Sequence, residues 1–145
     1  MFEKETKNYL SVIDLDTVMP GLLCFDFGDA IRAGASTAGE DEQDLSKVTL
    51  DFAKFEAFTR GYVRALDGAA QRAELQSLAL GALAMTVECG ARFLTDYLNG
   101  DRYFKVDSPK QNLYRARCQL RLAKDMQSKL QAMQSVVDRY ADLRE

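Results

Sequence analysis

The 145-residue chain contains no histidine and no tryptophan, two prolines and an odd count of three cysteines. Without histidine there is no Ser-His-Asp or Cys-His nucleophile arrangement, and the commonest general base and transition-metal ligand are gone. The cysteines, Cys24, Cys89 and Cys118, are far apart in apolar or helical surroundings. That pattern fits neither a disulfide framework nor a zinc site, and it leads to the expectation of a reducing, cytoplasmic setting. The opening M-F-E-K-E-T-K lacks a signal-peptide core. The longest uncharged helical run, Leu75 to Val87, falls short of the ~18–20 residues that span a bilayer. No membrane partner is therefore expected. A net charge of −3 gives no general case for nucleic-acid binding.

What is present is ordinary for a folded domain: 47% apolar and 28% charged residues. The length suits one domain or part of one. Residues Tyr9 to Asp14 alternate and favour a strand, with Met1-Phe2-Glu3 as the other half of a hairpin. Two strands do not normally stand alone in water, so partner strands upstream are expected. Leu15 to Phe25 reads as loop around Pro20-Gly21, after which Asp26 is placed to cap a short helix through F-G-D-A-I-R. The small, acidic tract from Ala33 to Asp44 reads as a mobile surface loop.

Helical periodicity dominates the rest. Asp51 caps a helix whose Phe52, Phe55, Phe58, Tyr62 and Leu66 share a face. A second helix is predicted from Arg72 to Leu98, with one stripe through Leu75, Leu78, Ala82, Met85, Cys89 and Phe93 and another through Leu80, Leu83, Val87, Ala91, Leu94 and Leu98. A helix apolar on two sides is expected between others. Gly81 and Gly90 each cost roughly 1 kcal/mol relative to Ala but let neighbouring helices approach. N-G-D, Asn99 to Asp101, ends it. The last helix is predicted from Gln111 to Tyr140, with Leu113, Ala116, Leu120, Ala123, Leu130, Met133, Val137 and Tyr140 inward.

Asp14, Asp16, Asp26 and Asp29 crowd one short segment. An oxygen-only cluster suits a hard ion such as magnesium, and acids at turns and helix starts are equally at home as caps. Arg92 has two readings too: a substrate donor, or an ion pair with Glu88 or Asp96 on its own helix. Lys105, Lys110, Arg115, Arg117, Arg121 and Lys124 read as a solvated or phosphate-attracting face, since no aromatic platform for nucleic acid is interleaved.

Four motifs in order, D-L-D-T-V-M-P-G, D-F-G-D-A-I-R, R-F-L-T-D-Y-L-N-G-D and N-L-Y-R-A-R, span most of the chain. Together they resemble the aminoglycoside phosphotransferase and choline kinase-like superfamily, most closely its N-acetylhexosamine 1-kinase branch. There a strand ends in I-D and a second Asp follows twelve residues later, the separation of Asp14 and Asp26. V-M-P-G-L-L stands where the commoner G-D-P pattern would lie.

The resemblance implies a mainly α fold, the C-terminal helical lobe of a protein-kinase-like enzyme with a short N-terminal hairpin. It assigns the nucleotide-bound magnesium to Asp14 with Asp16 as a second, water-mediated contact or a turn residue, and support of the catalytic loop to Asp26. Arg92 and Tyr103 are assigned to the sugar, with Asp29 and Arg32 as weaker candidates. ATP and Mg2+ are the implied cofactors of the intact enzyme, and neither is expected to bind this chain tightly. The catalytic base, its metal-binding Asn and the nucleotide lobe are expected upstream, so the chain alone is expected to be inactive. The competing expectation is a non-enzymatic helical module. In either case the missing lobe or a second copy is the expected partner, alongside a sugar.

Overall fold

The computed structural model describes residues 1, 3–13 and 15–142. Five α-helices and one 3-10 turn make up its regular structure: α1 (Leu23–Gly34), the turn Leu45–Lys47, α2 (Phe52–Ala65), α3 (Arg72–Gln76), α4 (Leu78–Leu98) and α5 (Gln111–Asp142). The chain is thus mainly α, as expected. α4 lies between α1 and α5, and α2 packs across α5.

Among the described residues no strand forms. Ahead of α1 the backbone folds back through Glu3 N–H to Asn8 O (2.8 Å) and Leu10 N–H to Met1 O (3.0 Å), with Lys7 at φ 60° in the turn. Every described side chain up to Leu22 is exposed, including Val12, Ile13, Val18 and Met19. With no third strand or helix to cover it, such a segment gains no buried apolar face to hold a regular ladder.

α1 begins earlier than the capping argument placed it. Leu22 occupies the N-cap without a side-chain hydrogen bond, and Asp26 lies within the first turn. Leu23 and Cys24 already pack on the core, continued by buried Phe27, Gly28 and Ile31. Apolar contact with α4, rather than a cap, starts this helix. Phe27 then meets Phe55, Phe58 and Tyr62 of α2 at ring-centroid distances of 6.1, 5.7 and 5.2 Å. The cap predicted for α2 is present: Asp51 Oδ1 accepts the Lys54 N–H at 3.1 Å.

The expected helix from Arg72 to Leu98 is two helices. Ser77 interrupts it, its hydroxyl donating to Glu74 O at 2.6 Å and its N–H to the same carbonyl at 3.1 Å. A serine bonding back to the preceding turn competes with the regular helix ladder. Along α4 the two apolar stripes part ways. Leu78, Ala82, Cys89 and Phe93 are buried, whereas Leu80, Val87 and Leu98 are 58, 44 and 73% exposed. α4 does sit between other helices, as expected, but its second stripe is covered only in part, with Leu83 and Leu94 half-buried and the rest open. By length and composition it is also the one described helix apolar enough to cross a membrane, and 44% of its most apolar window is buried in the fold.

Glycine sets the α1–α4 crossing. A Cβ on Gly28 would stand 2.5 Å from Gly81 O, and one on Gly81 would stand 2.4 Å from Cys24 O. The backbones touch there. Gly90 faces α5 less tightly, with Gln119 Cβ 3.2 Å from where its own Cβ would be.

α5 runs two residues past its expected end; of the predicted stripe Ala116, Ala123, Met133 and Val137 are buried and Leu113, Leu130 and Tyr140 half-buried, but the buried face is wider than that stripe. Asn112, Cys118, Gln119, Leu122, Met126 and Val136 are buried, while Leu120 is 44% exposed. Two polar side chains therefore point inward on a helix read as having an aliphatic seam. Near its middle, Asp125 Oδ2 accepts the Leu50 N–H (2.7 Å) and the Lys129 ammonium (2.6 Å), which also donates to Leu50 O (3.2 Å). This clamp, the Ser36–Leu50 bridge and the Thr37 hydroxyl bond to Lys47 O (2.6 Å) tie down both ends of the acidic tract.

Candidate functional site

The residues assigned to substrate by resemblance fall into two pairs. Arg92, on the exposed side of α4, places Nη2 3.5 Å from the Tyr103 hydroxyl. Its guanidinium carbon lies 5.6 Å from the Tyr103 ring centroid and 5.4 Å from that of Phe104, within cation–π range. Arg92 Nε also lies 3.7 Å from Glu88, so the pairing within the helix and the approach to Tyr103 coexist. These groups line one open cleft of about 480 Å³ together with Ala91, Thr95, Asp96, Asn99 and Phe104.

The loop bearing Tyr103 is built around Asp96. Only 6% exposed, its carboxylate accepts the backbone N–H groups of Arg102 (2.9 Å), Tyr103 (2.8 Å) and Phe104 (2.9 Å) and the Asn112 amide (2.9 Å). Burial alone would raise its pKa; the three backbone donors outweigh that and hold it below the ordinary value. Asp96 does not pair with Arg92, since it is turned inward. The chain reaches this geometry by the turn after α4, where Gly100 and Asp101 take φ values of 85° and 54°. Phe104 then packs on Phe93, with ring centroids 4.6 Å apart.

Asp29 and Arg32 form the second pair, on α1: Arg32 Nε donates to Asp29 Oδ1 at 2.8 Å and Nη1 to Glu40 Oε1 at 3.0 Å. Glu40 also faces Arg115, Nε to Oε2 at 3.8 Å. Arg115 in turn donates to Lys105 O and Asn112 Oδ1, each at 3.0 Å, and lies over the Phe93 ring at 5.6 Å. The two pairs are thereby linked through Glu40, Arg115 and Asn112. They do not share a cleft: Asp29 and Arg32 are absent from the lining of the one beside Arg92.

Two expectations change here. The acidic tract is not a free loop, because Glu40 bridges two arginines and Asp41 accepts the Gln111 amide at 2.9 Å. Arg115 is not a solvated cation; its side chain is 17% exposed and fully engaged. Cys118 donates its thiol to Gly39 O at 3.2 Å. Burial raises the thiol pKa of both Cys89 and Cys118, although Arg32 opposes the rise at Cys89. Both are buried, which disfavours the thiolate form.

Asp26 accepts the Tyr62 hydroxyl at 2.8 Å, joining α1 to α2, and burial together with this carboxylate pushes the phenol pKa upward. Asp16 is exposed in the loop before α1. Asp14, to which the resemblance assigns the metal, lies outside the described residues. Among those described, no group of three acidic or cysteine side chains is close enough to hold a metal ion.

No family model matches the chain. Sequence reasoning missed Asp96, Asn112, Glu40 and Arg115 as parts of the site. Asp96 had a local signal, an acid in the last turn of an apolar helix ahead of N-G-D. Asn112 had one as well, a polar residue at a position where the helical seam turns inward.

Proposed function

We propose that the cleft beside Arg92 and Tyr103 binds a hydroxylated small molecule of the N-acetylhexosamine type, within the helical part of an ATP- and Mg2+-dependent phosphotransferase. What supports the reading is the convergence of Arg92 and Tyr103, singled out by motif, on a single cleft walled by Phe104 and Ala91. A sugar has one face of C–H groups and a rim of hydroxyls. The rings of Tyr103 and Phe104 suit the first; the Arg92 fork, the Thr95 hydroxyl and the Asn99 amide suit the second. Asp96 contributes by position, holding Tyr103 through backbone bonds while its own acceptor capacity is used up.

In this proposal the magnesium, which would neutralise charge on the transferred phosphoryl, enters through Asp14. The described acids Asp16, Asp26 and Asp29 do not gather into a donor set, and Asp26 acts as an anchor for Tyr62. The sequence has no H-x-D catalytic motif, since it has no histidine. The 145-residue chain is therefore expected to bind sugar without transferring phosphate. Calorimetric titration with N-acetylglucosamine should give a saturable isotherm that Arg92→Gln and Tyr103→Ala each weaken by about tenfold or more. A coupled ATPase assay should show no sugar-dependent turnover. Absence of binding, or binding that both variants leave unchanged, overturns the site assignment; turnover overturns the division of labour.

A second reading, an interaction module without enzymatic activity, is favoured by one observation: the run of exposed apolar side chains from Val12 to Leu22, continued by Phe25 on α1. Exposed apolar side chains that gather into one patch mark association sites. Sedimentation across a concentration series should reveal a dimer that Val18→Lys and Leu22→Lys together dissociate. A concentration-independent monomer would leave the module reading without its support.

A further inference from the structure

A separate concavity of about 770 Å³ opens where the end of α2, the α2–α3 turn and the last turns of α5 meet. It shares no lining residue with the Arg92 cleft and does not depend on the sugar reading. Its floor is apolar: Val63, Leu75 and Ala141 are 1, 4 and 7% exposed. Its wall is basic, carrying Arg60, Arg64 and Arg72, against Asp67 as the sole lining carboxylate among the described residues.

Arg60 and Arg64 stand four apart on α2, hence on one face. Like charges at that spacing repel by a few tenths of a kcal/mol in an isolated helix, a cost that an anion between them removes. Arg72 is turned to Asp142, Nη2 to Oδ1 at 2.8 Å, which leaves Arg60 and Arg64 as the forks facing the cleft. Guanidinium groups accept phosphate in a bidentate geometry and hold their charge at any physiological pH. The volume is in the range of small-ligand sites.

We propose that this cleft binds a small phosphate monoester with an apolar body, the phosphate between Arg60 and Arg64 and the apolar part against Val63, Leu75 and the Tyr140 ring. A basic wall over an apolar floor favours such an amphiphile over either a bare ion or a neutral ring, because each half of the ligand meets its own complement.

The probe is phenyl phosphate, added to the 15N-labelled chain and followed by NMR. Saturable shifts are expected at amides of residues 60–72 and 140–142. Inorganic phosphate should bind at least about fivefold more weakly, and benzyl alcohol should leave the spectrum unmoved. Arg60→Gln with Arg64→Gln should raise the dissociation constant about tenfold or more, with Arg64→Lys retaining part of the affinity. Both arginines are exposed, so the remaining resonances should report an unchanged fold. No saturable shift up to about 20 mM, shifts centred elsewhere, equal binding of inorganic phosphate, or an unchanged constant in the double variant would each overturn the proposal.

Discussion

Gly81→Ala is expected to lose about 3 kcal/mol of stability. The added carbon would stand 2.4 Å from Cys24 O and 2.6 Å from Cys24 Cβ, separations that real Cβ contacts do not show. Neither neighbour can swing aside, since one is backbone and the other is fixed to it. The axes of α1 and α4 must separate instead, opening the packing of Phe27, Ile31, Leu78 and Ala82 along the crossing. Gly28→Ala should act alike, because its methyl would meet Gly81 O at 2.5 Å. The two costs should not add, as helices already separated by one methyl have room for the second. Gly61→Ala is the matched control. It lies inside α2 with nothing within 4 Å of the new carbon, and should gain about 0.5–1 kcal/mol from helix propensity alone. Urea unfolding with unchanged m-values reads all three; a Gly81→Ala midpoint equal to wild type would contradict the close crossing.

Asp96→Ala is expected to lower the melting temperature by on the order of 10 °C and to abolish ligand binding at the Arg92 cleft together. The substitution strips the acceptor from three consecutive backbone N–H groups and from the buried Asn112 amide. With no carboxylate to hold them, residues 102–104 lose the geometry that presents Tyr103 to Arg92 and seats Phe104 on Phe93. Asp96→Asn should recover only part of the loss, because its amide nitrogen faces donors where an acceptor is required. Protein NMR should show the shifts concentrated at residues 100–112. A variant with normal stability and normal binding would show that the loop is held by other means.

The same carboxylate sets an acid limit. Asp96 and Asp125 both titrate below the ordinary 3.8 in the folded chain: burial opposes this in each case, while backbone donors at Asp96 and the Lys129 ammonium with the Leu50 N–H at Asp125 prevail. Around and below 3.8 the unfolded chain therefore binds more protons than the folded one, and stability rises with pH there. Their contribution is complete above about pH 4–5 and is lost as the pH falls through the folded-state values. Asp96→Asn should flatten this acid dependence as well as lower the plateau.

Several elements could be read from local chemistry because their causes are local. Asp51 caps α2 through a carboxylate three residues from its donor, and Gly100 with Asp101 ends α4 through left-handed backbone. The resemblance assigned Arg92 and Tyr103 to the same ligand without pairing them; they lie side by side because only the short loop after α4 separates them. Where local and non-local causes compete, the reading shifted. A cap argument placed the start of α1 at Asp26, yet contact of Leu23 and Cys24 with α4 moved it forward. Periodicity marked two stripes on α4 with equal weight, because it states which residues share a face and not which face meets another helix.

By itself, then, the sequence determined that the chain is mainly helical, where most helices run, and which residue types can do chemistry: no imidazole, and no cysteine pattern of a disulfide framework or zinc site. The tertiary structure decided which α4 stripe is buried, that Glu40 joins Arg32 to Arg115, and that Asp96 is a fixed anchor rather than a partner for Arg92. For the first two the physical reason is that the groups lie far apart in the chain, so their energies exist only once α1, α4 and α5 have been brought together. For Asp96 it is that the inward turn of one carboxylate depends on the loop 102–104 folding back over it and on Asn112 of α5, which spacing along a helix does not state.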